Sequence, residues 1–368
     1  MSHTKEDLKE LQSKSLEEKI QISTARIIEW YEHWDGKVYV SFSGGKDSTV
    51  LLDLVRRVYP DVPAVFSDTG LEFPEIREFV KSFDNVEWVK PKMSFIQILS
   101  TYGYPIISKQ ISLRVHQARH SKTHDTASWK MFEGRYHSSK NNQPSCYNIP
   151  KWKFLLDSDF LIHNKCCDIM KKQPLYEFSK KTGLKPYIGV MTTESKQRQD
   201  NWMKYGCNAF EDKSHPSSTP LAFWTEQDIL HYIKKYNLPY ASVYGELKET
   251  NGLLYFTNYK RTGCVFCGYG CHLEKEPNRF QTLAKTHPQL YDYCMRGGKY
   301  DESTGMWVPD KGLGMAKVLD YINVKWWNDG DEAKRDEYRA KYKEKEEIEH
   351  SRKKSSQTDG ASSKICAY

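Results

Sequence analysis

No stretch of the 368 residues approaches the roughly 18 consecutive apolar positions that a bilayer-spanning helix needs. The first residues, MSHTKEDLKELQSKSLEEK, are charged and contain no apolar core, so no secretory leader is expected. These two absences set aside the membrane and secreted classes and lead to an expected cytoplasmic location. No segment repeats another, which excludes solenoids and propellers. Charge of one sign is also scarce. With 55 Lys and Arg against 48 Asp and Glu the net charge is +7, which identifies no polynucleotide partner until its distribution is known. Aromatic residues are plentiful at 13%, including 24 Tyr and 10 Trp, and a disordered chain would be poor in them. There are nine cysteines, and without a leader a disulfide framework is not expected. Packing, metal ligation or redox chemistry remains for them.

Residues 1–34 read as helix from the spacing of Leu8, Leu11, Leu16, Ile20, Ile27 and Ile28. Strands are expected at Lys37–Phe42, Val62–Phe66, Val86–Val89 and Tyr187–Met191. Helices are expected at Thr49–Tyr59, Phe73–Phe83, Glu194–Lys204 and Thr225–Tyr236. Alternation of strand and helix at this pitch predicts an α/β domain, a parallel sheet flanked by helices. The expected organisation is an N-terminal helical segment over 1–34 and a nucleotide-binding domain over 35–240. A Cys-rich region over 241–330 and a charged helix with a mobile tail over 331–368 follow. The domain carries a basic insertion, 109–153, where nine Lys or Arg stand against two acids, Asp125 and Glu133. That surplus equals the net charge of the whole chain. Trp129, Phe132, Tyr136, Tyr147 and Trp152 are interleaved with it.

Ser43, Gly44, Gly45, Lys46, Asp47 and Ser48 lie between a predicted strand and a predicted helix. The glycines allow a tight turn that brings backbone N–H groups against an anion, and the following helix points its positive end at the same spot. Lys46 adds charge, and the serines add donors. The pattern is not GxxxxGK[ST], the phosphate loop of Walker type. SGGKDS resembles, residue for residue, the PP-loop signature of the ATP pyrophosphatase superfamily. A glycine-rich turn with no ligand is the bland alternative. Asp68, in Asp68-Thr69-Gly70, closes the second strand, at the carboxyl edge where open α/β sheets bind ligands. A free carboxylate there suits Mg²⁺ or a ribose hydroxyl, and equally a helix N-cap.

Cys166-Cys167 and, about a hundred residues on, Cys264-x-x-Cys267 offer four thiolates, which suit a structural zinc or a [4Fe–4S] cluster. The adjacent pair is awkward for a zinc knuckle. The CC…CxxC arrangement, with Lys171-Lys172 and Pro174-Leu175 after the pair, resembles the iron–sulfur adenylyl-sulfate reductases. Asp68 to Gly70 with Phe73-Pro74-Glu75, then Gly189, Glu194-Ser195 and Arg198, then Pro220-Leu221 with Trp224, are similar to the wider phosphoadenosine phosphosulfate (PAPS) reductase family. The resemblance spans roughly Lys37 to Cys271. It implies an adenine nucleotide α-hydrolase-like fold. Nucleotide contacts would come from Ser43 to Ser48, Asp68, Gly70, Glu194 and Arg198, with Lys46, Asp47 and Asp68 in catalytic roles. Cys166, Cys167, Cys264 and Cys267 would be cluster ligands, with Cys271 as an alternative ligand or reactive thiol.

The likeness is incomplete at two places. The reductases usually carry a degenerate phosphate loop, whereas this chain has the full SGGKDS of enzymes that split ATP to AMP and pyrophosphate. They also end in a Glu-Cys-Gly-Leu-His motif bearing the nucleophile, and this chain ends Ile365-Cys366-Ala367-Tyr368. The leading expectation is therefore Mg²⁺-assisted adenylylation by ATP and sulfur transfer to an acceptor. The sulfur donor is unnamed, and DNA or RNA would be the acceptor if 109–153 binds it. The second expectation is an adenylyl-sulfate or PAPS reductase that releases sulfite and is served by a thioredoxin-like reductant, with Cys366 as nucleophile. The third is a non-catalytic zinc-containing nucleic-acid-binding protein, which leaves SGGKDS without a purpose.

Overall fold

The computed structural model describes residues 3–137, 142–212, 215–340 and 342–343. The chain forms two compact units, each built from two stretches: residues 1–93 with 167–265, and residues 94–166 with 266 onward.

In chain order, α1 (Lys5–Ser13) and α2 (Leu16–His33) come first. The single helix expected over 1–34 is thus two. Ser15 breaks it with a capping box, its hydroxyl accepting from Glu18 N while Glu18 returns to Ser15 N at 2.9 Å. Then follow β1 (Val38–Ser41), α3 (Lys46–Val58), β2 (Ala64–Ser67), α4 (Pro74–Lys81) and β3 (Val86–Val89). Helix α3 begins three residues before the expected Thr49, because Gly45 takes the extended N-cap conformation and Lys46 already turns. Next are α5 (Phe95–Thr101), β4 (Ile106–Ile107), α6 (Lys109–Arg119) and α7 (Ala127–Phe132). After them come α8 (Gln173–Thr182), β5 (Lys185–Ile188), α9 (Lys196–Tyr205), α10 (Glu226–Lys235), β6 (Leu247–Thr250) and β7 (Leu253–Phe256). The last are β8 (Gly268–Tyr269), α11 (Arg279–Thr286), α12 (Pro288–Met295), β9 (Lys299–Tyr300), β10 (Trp307–Val308) and α13 (Met315–Tyr321).

The first unit is organised on a parallel four-stranded sheet in the order β3-β2-β1-β5. Val38, Val40, Ala64 and Val65 are fully buried in it. Helix α3 packs on β1 and β5, with α2 and α10 around it, and α8 packs on β2 and β3. Tyr39 of β1 meets Phe178 of α8 edge-on at 5.2 Å and bonds Ser179. A parallel α/β sheet flanked by helices is the fold class read from the alternation of elements. Because the strands are parallel, β1, β2 and β5 all end at one edge of the sheet, and the loops after them meet there.

The second unit holds the short parallel pair β4 and β8 and the antiparallel pair β9 and β10. Its core includes Tyr104, Phe132, Trp307 and Trp326, with Tyr104 donating to Leu313 O at 2.8 Å. The expected charged helix over 331–354 is helical at 332–340. The expected mobile tail, with Cys366, lies outside the described residues. No helix among the described residues is long and apolar enough to cross a membrane.

Candidate active site

The phosphate loop turns at the end of β1. Gly44 has φ +69°, and a Cβ there would lie 2.7 Å from Val80 Cγ2 and 2.8 Å from Ile76 Cγ2, so glycine is required for both conformation and space. The Ser48 hydroxyl accepts from Ser43 N at 3.1 Å and donates to Gly45 O at 2.9 Å, which closes the loop on itself. The Ser43 hydroxyl bonds Ser48 Oγ at 3.0 Å and accepts from Gly45 N. Helix α3 has no side-chain cap at its N-terminus, whereas α1, α2, α5, α10 and α11 all carry capping boxes. The Lys46 N–H is taken by the Tyr244 hydroxyl, and the positive end of the helix dipole faces the loop, a setting suited to an anion.

Lys46 is only 3% exposed, and its ammonium lies 3.3 Å from Asp47 Oδ1 and 3.8 Å from Glu226 Oε1. The end of β5 crosses directly beneath. A Cβ on Gly189 would sit 3.1 Å from Ser48 Cα and 3.2 Å from Asp47 O. Beyond it, Glu194 pairs with Arg198 one turn on, accepts from Met191 N at 3.0 Å, and faces Arg261 at 3.5 Å. Burial lowers the Arg198 pKa, and the neighbouring Arg261 pushes the same way while Asp47 opposes. The structure thus brings together Ser43 to Ser48, Glu194 and Arg198, three parts of the chain that the sequence reading grouped.

Asp68 ends β2 as expected, but it is not the free carboxylate expected there. Its Oδ2 pairs with Arg77 of α4 at 3.0 Å, and its buried Oδ1 has no hydrogen-bond partner. Nor is it an N-cap, since α4 is preceded by Phe73 and Thr69 is the residue that bonds Glu72. Gly70 has φ +71° with open space where a Cβ would lie, so its requirement is conformational.

Sequence reasoning missed Tyr244, Thr262, Arg261, Arg77 and Glu226. Tyr244 Oη accepts from Lys46 N at 3.0 Å and bonds Thr262 Oγ1 at 2.8 Å. These residues arrive by tertiary packing from distant sequence, and no local motif announces them. The nearest thing to a signal was the basic Lys260-Arg261 pair just ahead of the CxxC.

The cysteines are placed as follows. In the first unit Cys167 and Cys264 both act on Lys171, which lies in a wide π-turn, Asp168–Lys172, ahead of α8. Cys264 bonds the Lys171 ammonium and is the main cause of its raised pKa; burial opposes, and Glu72 and Cys167 add to the rise. Cys207 is buried, its thiol pushed up to about 11 by burial, and is a packing residue. In the second unit Cys166 is buried, and Cys267 O accepts from Arg279 at 3.0 Å. Cys271 is 1% exposed, donates to Gly268 O at 3.1 Å, and is pushed up to about 12 by burial. Cys294 is fully buried and Cys146 exposed. Among the described residues no group of three or more His, Cys, Asp or Glu side chains is gathered so as to hold a metal ion.

The basic stretch 109–153 is largely engaged with its own unit. Arg119 donates to Ser158 Oγ and Phe160 O, Lys130 pairs with Asp125 at 3.0 Å, and Arg135 and Lys153 both face Glu133. Phe132 is fully buried, and Trp129 stacks on His124 and donates to Ala118 O. Of the five aromatics, Tyr147 is the exposed one, at 54%.

Residues 37–103 and 109–269 match the family model of the phosphoadenosine phosphosulfate reductase domain. This is more than half of the chain, and the protein belongs to that family, as an enzyme of the PAPS reductase type. It is similar to an adenosine 5'-phosphosulfate reductase of Staphylococcus epidermidis, 27% identical over 244 residues, 66% of this chain and 74% of the relative. A protein of the same description from Anoxybacillus flavithermus is 26% identical over 270 residues, 72% of this chain and 88% of the relative. An uncharacterized protein of Methanocaldococcus jannaschii is 25% identical over 328 residues, 82% of this chain and 61% of the relative.

Proposed function

We propose that this enzyme binds the phosphates of ATP at Ser43 to Ser48 and uses the nucleotide to activate an acceptor for sulfur transfer. The observation that carries the reading is the complete loop, with glycine at the N-cap of α3 and a buried Lys46 beside it. An acceptor oxygen attacks the α-phosphorus, the bond to the β-phosphate oxygen breaks, and pyrophosphate leaves. A sulfur nucleophile then displaces AMP from the activated acceptor. Charge grows on the departing pyrophosphate, where the loop N–H groups, the serine hydroxyls and Lys46 are donors already in place.

Lys46, Arg77, Arg198 and Arg261 stand among Asp47, Asp68, Glu194 and Glu226. Four cations against four carboxylates leave no net positive charge for a triphosphate, so Mg²⁺ is the natural companion of the nucleotide. Asp68 Oδ1 is buried without a hydrogen-bond partner, and Asp47 Oδ1 is buried with only the ion-pair contact of the Lys46 ammonium at 3.3 Å; these are the oxygens suited to it. Glu194 and Arg198 belong to the nucleotide-contacting set.

A [4Fe–4S] cluster fits the donor chemistry in part, since Cys167 and Cys264 both act on the one Lys171 ammonium. Cys166, Cys167, Cys264 and Cys267 would hold it, and it would supply a place to bind or deliver sulfide. Lys171 maintains a positive charge beside the two thiols. Such chemistry belongs in a reducing compartment such as the cytoplasm.

The names of the relatives favour a second reading, reduction of adenylyl sulfate to sulfite with a thioredoxin-like reductant. Anaerobic assay of the purified protein separates the two. The first reading expects pyrophosphate from Mg-ATP with acceptor present, and sulfite from adenylyl sulfate with no pyrophosphate overturns it.

A further inference from the structure

The hydroxyl of Tyr244 occupies a position that a phosphate oxygen would be expected to take. It accepts the Lys46 N–H, the first of α3, at 3.0 Å. Helix N-termini usually offer this group to water, to a nearby side chain or to a ligand. Here the acceptor comes from 198 residues along the chain, and the side chain is 1% exposed. Two hydroxyls pack close over Gly45, where a Cβ would lie 3.5 Å from both Tyr244 Oη and Thr262 Oγ1. Burial pushes the Tyr244 phenol up to about 12, so it keeps its proton and remains able to donate.

Thr262 is the second partner of Tyr244, at 2.8 Å, and it stands in a short stretch with several attachments. Arg261 faces Glu194 at 3.5 Å, Cys264 bonds Lys171, and Val265 N donates to Leu71 O at 2.8 Å. Residues 261–265 therefore touch the nucleotide-contacting glutamate, the phosphate loop through Tyr244, and the lysine between the two cysteines.

We propose that Tyr244 is a positioning residue that reports phosphate occupancy of the loop to the stretch carrying Cys264. This rests on the loop being the nucleotide site. A phosphate oxygen is a charged acceptor and bonds an N–H more strongly than a phenol does. It takes the Lys46 N–H and the position of the Tyr244 hydroxyl, so the phenol is displaced from the helix N-terminus and from Thr262 together. Residues 261–265 are then held by fewer bonds when nucleotide is bound than when it is absent.

Amide hydrogen exchange over 261–265 tests this, with and without saturating Mg-ATP, in the parent, Thr262→Val, Thr262→Ser and Tyr244→Phe. Valine matches threonine in shape but cannot bond the phenol, whereas serine can. The parent and Thr262→Ser should exchange several-fold faster on adding ATP. Thr262→Val and Tyr244→Phe should exchange fast already and change little. A merely structural role would raise exchange in the variants yet leave the ATP-dependent difference intact, and that result overturns the proposal. A parent that binds ATP without any change at 261–265 overturns the coupling alone. A parent that binds no adenine nucleotide overturns the nucleotide reading of the loop and the coupling with it.

Discussion

Lys46 and Gly189 act on the phosphate loop in different ways. Lys46 supplies charge, while Gly189 supplies nothing except space under the start of α3, where a Cβ would lie 3.1 Å from Ser48 Cα. Both contact points below Gly189 are backbone and cannot swing aside. Gly189→Ala should therefore shift the first turn of α3, cost about 1–3 kcal/mol in a denaturant titration, and weaken ATP binding by calorimetry. Unchanged stability and affinity would mean that the strand and loop yield freely. Asp68 teaches a different lesson. Its place at the end of β2 was legible from the strand that precedes it, but its pairing with Arg77 was not, because α4 has to fold back before the two meet. The same holds for Tyr244 and Thr262, whose hydroxyls reach the loop only through tertiary packing. The loop itself was readable because six consecutive residues contain all its donors.

At the scale of elements, periodicity located α3, α4, α9 and α10 but not α5 to α8 or α11 to α13, and it gave no sign of where one helix becomes two. The apolar spacing over 1–34 is continuous, yet Ser15 and Glu18 cap each other and start α2 afresh. Ser15→Ala should cost about 1 kcal/mol, measured as a shift in the unfolding midpoint, and no shift would show that packing alone separates the helices. In the second unit α6 carries His116 and is capped at its C-terminus by His120, the two rings 4.2 Å apart, and His163 approaches His116 at 3.9 Å. Burial first, then the charges of His163, His120, Arg119 and Lys165, depress His116 from the ordinary 6.5 to about 4. The folded form therefore binds fewer protons than the unfolded chain between these values. Its contribution to stability is present above 6.5 and is lost as pH falls toward 4. His116→Asn should flatten the fall in Tm over that range by roughly 2–4 °C, and a parental pH profile in the variant would contradict it.

At the scale of the whole molecule, the class of fold and the family were legible because an alternating α/β pattern and short motifs extend over most of the chain. The use of the charge was not. The surplus over 109–153 is visible in sequence, but whether a lysine faces solvent or Glu133 depends on packing, and much of this stretch serves its own unit. The acceptor therefore has to be sought without assuming a polynucleotide. The chemistry as a whole depends on one claim, that Ser43 to Ser48 hold the phosphates of an adenine nucleotide. Equilibrium titration of the anaerobically purified parent, Lys46→Ala and Asp47→Ala with Mg-ATP tests it most directly. Loss of a buried charged donor should weaken ATP binding by roughly tenfold to hundredfold in Lys46→Ala, with a measurable loss in Asp47→Ala. Parental affinity in both variants would contradict the account.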